Sequence, residues 1–95
     1  MATYIILSQL AHDAIRDPKD FAKVAEEVAA RVKKQCPKVA WKHSWAALGR
    51  YDIVDVVESD DLAQVERAAL IIRGHAHAHT ETLLATEWKE FLAKL

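Results

Sequence analysis

The fold is decided by the central stretch VAWKHSWAALGRYDIVDVVE, which covers residues 39–58. β-Branched and aromatic residues alternate with polar ones on both sides of Gly49-Arg50, as they do in strands with one buried face. We predict strands over residues 39–48 and 51–58. Because only a short reversal separates them, the two strands should pair as an antiparallel hairpin.

The residues before this hairpin predict one strand and one helix. Residues 3–9 are rich in β-branched and aromatic side chains and predict a strand, and residues 11–16 predict a connection. Asp17-Pro18 is a helix-start signal, because aspartate caps the first amides and proline fits the first turn. The apolar residues that follow recur at helical spacing. They are Phe21, Val24, Ala25, Val28 and Val32.

The residues after the hairpin predict a second helix, a fourth strand and a terminal helix. Ser59-Asp60-Asp61 is a strong cap cluster, and Gly74 is well placed to end the helix that it opens. Residues 77–86 then predict a strand, and residues 88–95 predict a short helix. The order β-α-β-β-α-β is the ferredoxin-like plan of an α+β domain, with both main helices on one face of a four-stranded sheet.

The opposite face of that sheet would be bare and apolar, which predicts self-association. Large exposed apolar patches are rare in monomers, and an isologous contact with a second copy would cover this one. We therefore expect a homodimer or a higher homo-oligomer.

Composition narrows the class of protein further. The 95 residues suffice for one domain, residues 1–95, with one hydrophobic core. Basic and acidic residues are interspersed and give a net charge of −1, which argues against nucleic acid or an anionic membrane as partner. The N-terminal residues lack the pattern of a signal peptide, and no apolar stretch is long enough for a membrane span. With a single cysteine, Cys36, a cytoplasmic location is expected.

Three separated segments carry a resemblance to a known family. Gly49-Arg50-Tyr51-Asp52 and the strand after it resemble the glycine-tyrosine-aspartate signature of the GYD domain family. Residues 2–8 and 80–85 resemble the first and last strands of that family. The resemblance covers nearly the whole chain and implies a dimeric α/β barrel, in which two ferredoxin-like sheets face each other. The family is mostly of unknown function, so the resemblance implies little chemistry.

The histidine-rich segment His75-Ala76-His77-Ala78-His79 predicts a metal site. In an extended segment the three imidazoles point to one side, and Glu81 is next in line. In a barrel dimer of the kind that the resemblance implies, the fourth strand approaches the partner's second strand, so His43 could complete the site. Such ligands suit Zn, Fe, Cu or Ni. The alternative is that these histidines are exposed loop residues or polar wall residues without a ligand.

Other side chains of the hairpin have two possible roles each. Asp52 is either a general base or histidine-orienting group, or it caps the turn by accepting hydrogen bonds from backbone amides near Gly49. Tyr51 is either a proton donor or a core residue with a satisfied hydroxyl. Trp41 and Trp45 flank His43 on one predicted face, where they either wall a pocket for a planar ligand or fill the dimer core.

These patterns support three functions. The first is a small metalloprotein whose metal acts on an organic molecule held between the sheets. The second is a metal-free module for small-molecule binding or regulation, with a Trp-lined cavity. The third is a metal-free enzyme that uses His43 and Asp52 as an acid/base pair.

Overall fold

The computed structural model describes residues 1–13 and 17–95 and has the predicted order of elements. Residues 14–16, part of the predicted connection, lie outside the described ranges. The strands are β1 (Ala2–Leu10), β2 (Ala40–Ala46), β3 (Ile53–Ser59) and β4 (Ala78–Ala85). The helices are α1 (Pro18–Gln35), α2 (Leu62–Ala76) and α3 (Trp88–Ala93).

The four strands form one antiparallel sheet in the order β2-β3-β1-β4. The central pair, β1 and β3, is registered with Tyr4 opposite Val57 and Ile6 opposite Asp55. Both crossovers contain a helix, and the core forms on the side of the sheet where Ile6 and Val57 point. The ferredoxin-like α+β prediction is confirmed.

The core lies between this face of the sheet and α2. Ile6 and Val57 are fully buried, and they contact a group of apolar side chains on α2. That group comprises Val65, Ile72 and Ala76. Burying an aliphatic side chain of this size stabilises the fold by about 1.5–3 kcal/mol, so these few contacts hold α2 on the sheet.

Both main helices begin at the predicted caps. The Asp17 carboxylate accepts a hydrogen bond from the Lys19 amide at 3.0 Å, and the Asp61 carboxylate accepts one from the Gln64 amide at 3.2 Å. These bonds satisfy amides that have no partner inside the helix. Among the helices of the described ranges, none is long and apolar enough to cross a membrane.

The hairpin loop is longer than the sequence predicted. β2 ends at Ala46 and β3 begins at Ile53, so residues 47–52 connect the strands instead of the tight reversal expected at Gly49-Arg50. The Ala47 amide donates to the Asp52 carbonyl at 2.9 Å and closes the loop. Gly49 has a φ of 122°, which glycine adopts without strain.

Candidate functional site

Asp52 ties the hairpin loop to the end of β1. Its carboxylate oxygen Oδ2 accepts a hydrogen bond from the Leu10 amide at 2.8 Å, and its own amide donates to the Ser8 carbonyl at 2.8 Å. The expectation that Asp52 accepts from a backbone amide holds, but the amide belongs to Leu10 rather than to a residue near Gly49. This carboxylate therefore fixes the relative position of two chain segments.

Asp52 and His43 are not brought together as an acid/base pair. His43 lies opposite Val56, four residues along β3 from Asp52 and hence about 13 Å away along the strand. The Asp52 carboxylate is also engaged by Leu10 at the other side of the loop. The two groups would therefore have to act separately.

Tyr51 reaches across the sheet to Glu81 on β4. The Tyr51 hydroxyl donates to Glu81 Oε2 at 2.5 Å. This hydrogen bond, together with partial burial and the Glu81 charge, raises the pKa of Tyr51, although the Arg50 guanidinium opposes the shift. A phenol whose pKa is raised holds its proton more firmly. Tyr51 therefore acts as the hydrogen-bond donor, and this bond fixes the position of the Glu81 carboxylate.

The predicted row of three histidines is wrong, because α2 does not end at Gly74. The helix continues through Ala76, and His75 lies within it, with Nε2 2.7 Å from Glu27 Oε2 on α1. His77 is the C-cap in the left-handed conformation, with φ 51° and ψ 53°. β4 begins only at Ala78, so His79 is the one histidine of this segment on a strand.

The prediction that Trp41, His43 and Trp45 share one face of β2 is wrong for Trp41. The strand has a bulge between Trp41 and His43. Trp41 lies opposite Val57, on the helix side of the sheet. His43 and Trp45 lie opposite Val56 and Val54, on the other side. An extra residue in one strand reverses the facing of everything beyond it, so the two tryptophans do not flank His43.

The side of the sheet away from α1 and α2 is here called the open sheet face. Its centre is apolar and carries Ile5, Leu7, Val54, Val56 and Leu83. The outer strands add polar and aromatic groups at its two edges. On β2 these are His43 and Trp45, whose rings stack with centroids 5.1 Å apart. On β4 they are His79 and Glu81.

The proposed metal ligands do not converge within one protomer. Two strands separate β2 from β4, and His43 lies in the row of Leu83, four residues along β4 from His79. The two histidines are therefore roughly 20 Å apart. Over residues 1–13 and 17–95, no group of three His, Cys, Asp or Glu side chains is placed to hold one ion. A site with three of these ligands would therefore have to combine groups from two copies.

Cys36 is buried at the end of α1, and burial raises the pKa of its thiol while Arg67 opposes the shift. A raised pKa favours the protonated thiol, which makes Cys36 a poor nucleophile.

A cavity of about 610 Å³ lies between α1 and the sheet, and we call it the α1 cavity. Its walls are mostly apolar, with Phe21, Val24 and Val28 contributed by α1. The buried Asp55 carboxylate accepts hydrogen bonds at Oδ1 from Ser44 Oγ (2.6 Å) and Trp41 Nε1 (3.1 Å). Pockets of this size hold small organic molecules.

Sequence reasoning missed Ser8 and Ser44 as lining residues of this cavity. Ser8 is fully buried, and its hydroxyl has no hydrogen-bond partner in the described part of the chain. The signal was present in β1, where Ser8 alternates with Tyr4 and Ile6 and therefore shares their inward face. Asp55, which alternates with Ile53 and Val57, carries the same signal in β3.

The GYD domain model matches residues 4–95 of this sequence. The chain belongs to the GYD domain family. In the glycine-tyrosine-aspartate signature, Gly49 takes the positive φ of the loop, the Tyr51 hydroxyl donates to Glu81, and the Asp52 carboxylate accepts from the Leu10 amide.

Proteins similar to this GYD domain are known from their sequences and from solved structures. A protein of Thermus thermophilus is 33% identical over 103 positions, which cover 100% of this chain and 99% of that protein. It is named glutamine synthetase and cystathionine beta-lyase binding protein. The crystal structure of FFRP-DM1 is 26% identical, with a TM-score of 0.59 over 90% of this chain and 100% of that chain. A mutant chlorite dismutase from Candidatus Nitrospira defluvii, 16% identical, has a TM-score of 0.68 over 90% of this chain and 40% of that chain, and shows the fold alone.

Proposed function

We propose that this GYD domain is a regulatory binding module that self-associates through its open sheet face and binds a metabolic enzyme. The alignment with the Thermus thermophilus protein carries the proposal, because it covers 99% of a relative named for binding two enzymes. A single domain of this kind makes up almost the whole of that relative. The surfaces of that domain must therefore bind the two enzymes for which the relative is named. The proposal includes the cytoplasmic location predicted from the sequence.

The open sheet face supports self-association. Its central side chains are apolar, and neither α1 nor α2 covers them. Leu83 is 41% exposed and Trp45 is 52% exposed on this face. An isologous contact would place the apolar centres of two sheets together and remove both patches from water.

Helix α3 is the surface that we assign to the partner enzyme. Trp88 and Phe91 are 67% and 43% exposed, and their rings stack with centroids 5.8 Å apart. Leu92 beside them is 46% exposed. Preformed aromatic pairs of this kind are typical anchors of protein interfaces, where tryptophan is strongly enriched.

Replacing both rings, as Trp88→Ala with Phe91→Ala, should weaken binding to purified glutamine synthetase or cystathionine β-lyase at least about a hundredfold. Surface plasmon resonance with each immobilised enzyme measures the change. Lys89→Ala on the same helix is the matched control and should bind like the parent chain. Unchanged binding by the double variant would refute the assignment to α3. Loss of self-association in that variant would instead place α3 in the contact between copies.

A metal site between two copies is the second candidate function, and the shared face of His43, His79 and Glu81 favours it. These groups lie on opposite edges of the open sheet face. If β4 of one copy packs over β2 of the other, as the family resemblance implied, the edges meet and the ligands come together. His75 and His77 are not part of this candidate site. His75 contacts Glu27 on α1, and His77 is the C-cap of α2.

This candidate predicts that untagged protein reconstituted with Zn, Fe, Cu or Ni retains about one ion per site and that His79→Ala loses it. Elemental analysis after exhaustive dialysis gives the stoichiometry. His75→Ala is the matched control and should retain the ion, since its side chain faces α1. Equal loss in both variants, or no retained metal in the parent chain, would exclude the interface site.

A further inference from the structure

We propose that the α1 cavity binds an amphipathic organic cation, whose ammonium or amidinium group pairs with Asp55 while its apolar body lies against α1. The α1 cavity lies on the opposite side of the sheet from the open sheet face, and Trp45 on the edge strand β2 is the residue that borders both. The cavity adds a small-molecule site to the protein-binding function proposed above.

The shape and walls of the cavity suit an apolar body. Its volume is about 610 Å³, within the range of pockets that enclose small organic ligands. Helix α1 contributes Phe21, Val24 and Val28 to the lining, and helix α2 contributes Ile72 and Ala76. Apolar groups placed there would leave water, which favours ligands that carry a hydrocarbon or aromatic part.

Asp55 supplies the specificity for positive charge. Its carboxylate is on a residue only 6% exposed, and it accepts hydrogen bonds from two neutral donors, Trp41 and Ser44. Both bonds end on Oδ1, so Oδ2 remains an acceptor for a ligand. Among the described residues Asp55 has no ion-pair partner within 4.0 Å, and a buried charge without a countercharge is unfavourable. A cationic ligand would supply that countercharge.

Ser8 supplies a second polar anchor in the same cavity. Its hydroxyl is fully buried and unpartnered within the part of the chain that the structure describes, which is costly in a protein interior. Ser8 lies opposite Ile53 and Asp55 lies opposite Ile6, so the two are diagonal neighbours on one face, about 7–8 Å apart between Cα atoms. One ligand can therefore reach both groups.

Lys33, the other charged residue that lines the cavity, does not reverse the preference for a cationic ligand. Lys33 on α1 is exposed and makes no ion pair with Asp55, and the stem of such a lysine contributes apolar surface while its ammonium group favours water. The charge in the interior of the cavity is thus the Asp55 carboxylate. Anionic ligands are disfavoured there, and neutral ones leave the charge uncompensated.

The test is an NMR titration of the ¹⁵N-labelled 95-residue chain with three six-carbon probes: n-hexylammonium, 1-hexanol and hexanoate. Hexylammonium should shift the Trp41 indole resonance and the Ser8 and Asp55 amides. It should bind at least about tenfold more tightly than hexanol, because a charge-assisted hydrogen bond is roughly twice as strong as a neutral one. Hexanoate should not shift these resonances. Equal affinity for hexylammonium and hexanol, or shifts confined to the open sheet face, would overturn the proposal.

Variants then identify the carboxylate that binds the cation. Asp55→Asn keeps an acceptor oxygen for Trp41 and Ser44 but removes the charge, and it should lose at least about tenfold in hexylammonium affinity. Glu58→Gln removes a charge from the opposite face of the same strand and should leave the affinity unchanged. Full affinity in Asp55→Asn would overturn the proposal. If Asp55→Asn does not fold, the comparison of the three probes on the unaltered chain still decides.

Discussion

Leu83→Glu should abolish the self-association that we propose for the open sheet face, while the domain remains folded. Leu83 lies opposite Ile5 in the centre of the open sheet face and is 41% exposed in the single chain. The contact would bury only the part of Leu83 that is still exposed, so losing it costs about 1 kcal/mol for each protomer, and an isologous contact loses it twice. Because every 1.4 kcal/mol is tenfold, this loss alone should raise the dissociation constant roughly thirtyfold, and desolvation of the two new carboxylates raises it further.

Sedimentation equilibrium measures this change, with the mass compared with the protomer mass of 10.7 kDa. The matched control is Leu70→Glu on α2, since Leu70 is 61% exposed and lies away from the open sheet face. That control should self-associate like the parent chain. Dissociation by Leu70→Glu, or a Leu83→Glu variant that still self-associates fully, would place the contact elsewhere.

Asp52→Ala should lower the free energy of unfolding by about 1–3 kcal/mol. The substitution leaves the partly buried Leu10 amide without the carboxylate that accepts its hydrogen bond at 2.8 Å. It also frees the end of β1 from the hairpin loop. Urea unfolding at one fixed protomer concentration measures the loss, because the proposed self-association would make the apparent stability depend on concentration.

Asp60→Ala is the control for removing a carboxylate. Its side chain is 80% exposed and lies 3.8 Å from the N-terminal amine, so its loss should cost only about 0–0.5 kcal/mol. If Asp52→Ala is as mild as this control, Asp52 does not hold the loop to β1. The aspartate of the signature would then have to be explained by binding or catalysis.

The regular elements were predictable because their signals are local. Alternation in residues 53–58 defines β3, and Asp17 and Asp61 mark the two helix starts that the structure shows. A ferredoxin-like sheet follows from the order of such elements. The bare and apolar open sheet face follows in turn, since both crossover helices cover the other side.

The faces of β2 were not predictable from alternation. A single bulge between Trp41 and His43 places the two tryptophans on opposite sides of the sheet. Bulges depend on how a strand meets its neighbour, and the sequence of β2 alone carries no mark of this one. The predicted Trp-lined pocket around His43 depended on unbroken alternation.

The end of α2 was mispredicted for a different reason. Glycine is the usual residue just beyond a helix, so Gly74 was a reasonable end. The helix instead runs on to bury Ala76 in the core, and His77 takes the left-handed position at its end. The packing of Ala76 outweighs the tendency of Gly74 to end the helix. His75 therefore lies in the helix and His77 at its end, so the three histidines do not form a row on a strand.

The α1 cavity could be predicted only in part. Ser8 and Asp55 are polar residues at inward positions of two strands, which marks them as unusual. Their hydrogen-bond partners depend on how the elements pack, and so does the distance between α1 and the sheet. Sequence periodicity shows which face a residue occupies but not how far apart two elements lie.

Titration of the unaltered protein against purified glutamine synthetase and cystathionine β-lyase tests the proposed function most directly. Isothermal calorimetry gives the affinity and the stoichiometry in solution, with bovine serum albumin as the unrelated control. Saturable binding to at least one of the two enzymes, with no heat from albumin, is the result that a regulatory binding module predicts. No binding to either enzyme, with the chain folded and self-associated, would contradict it.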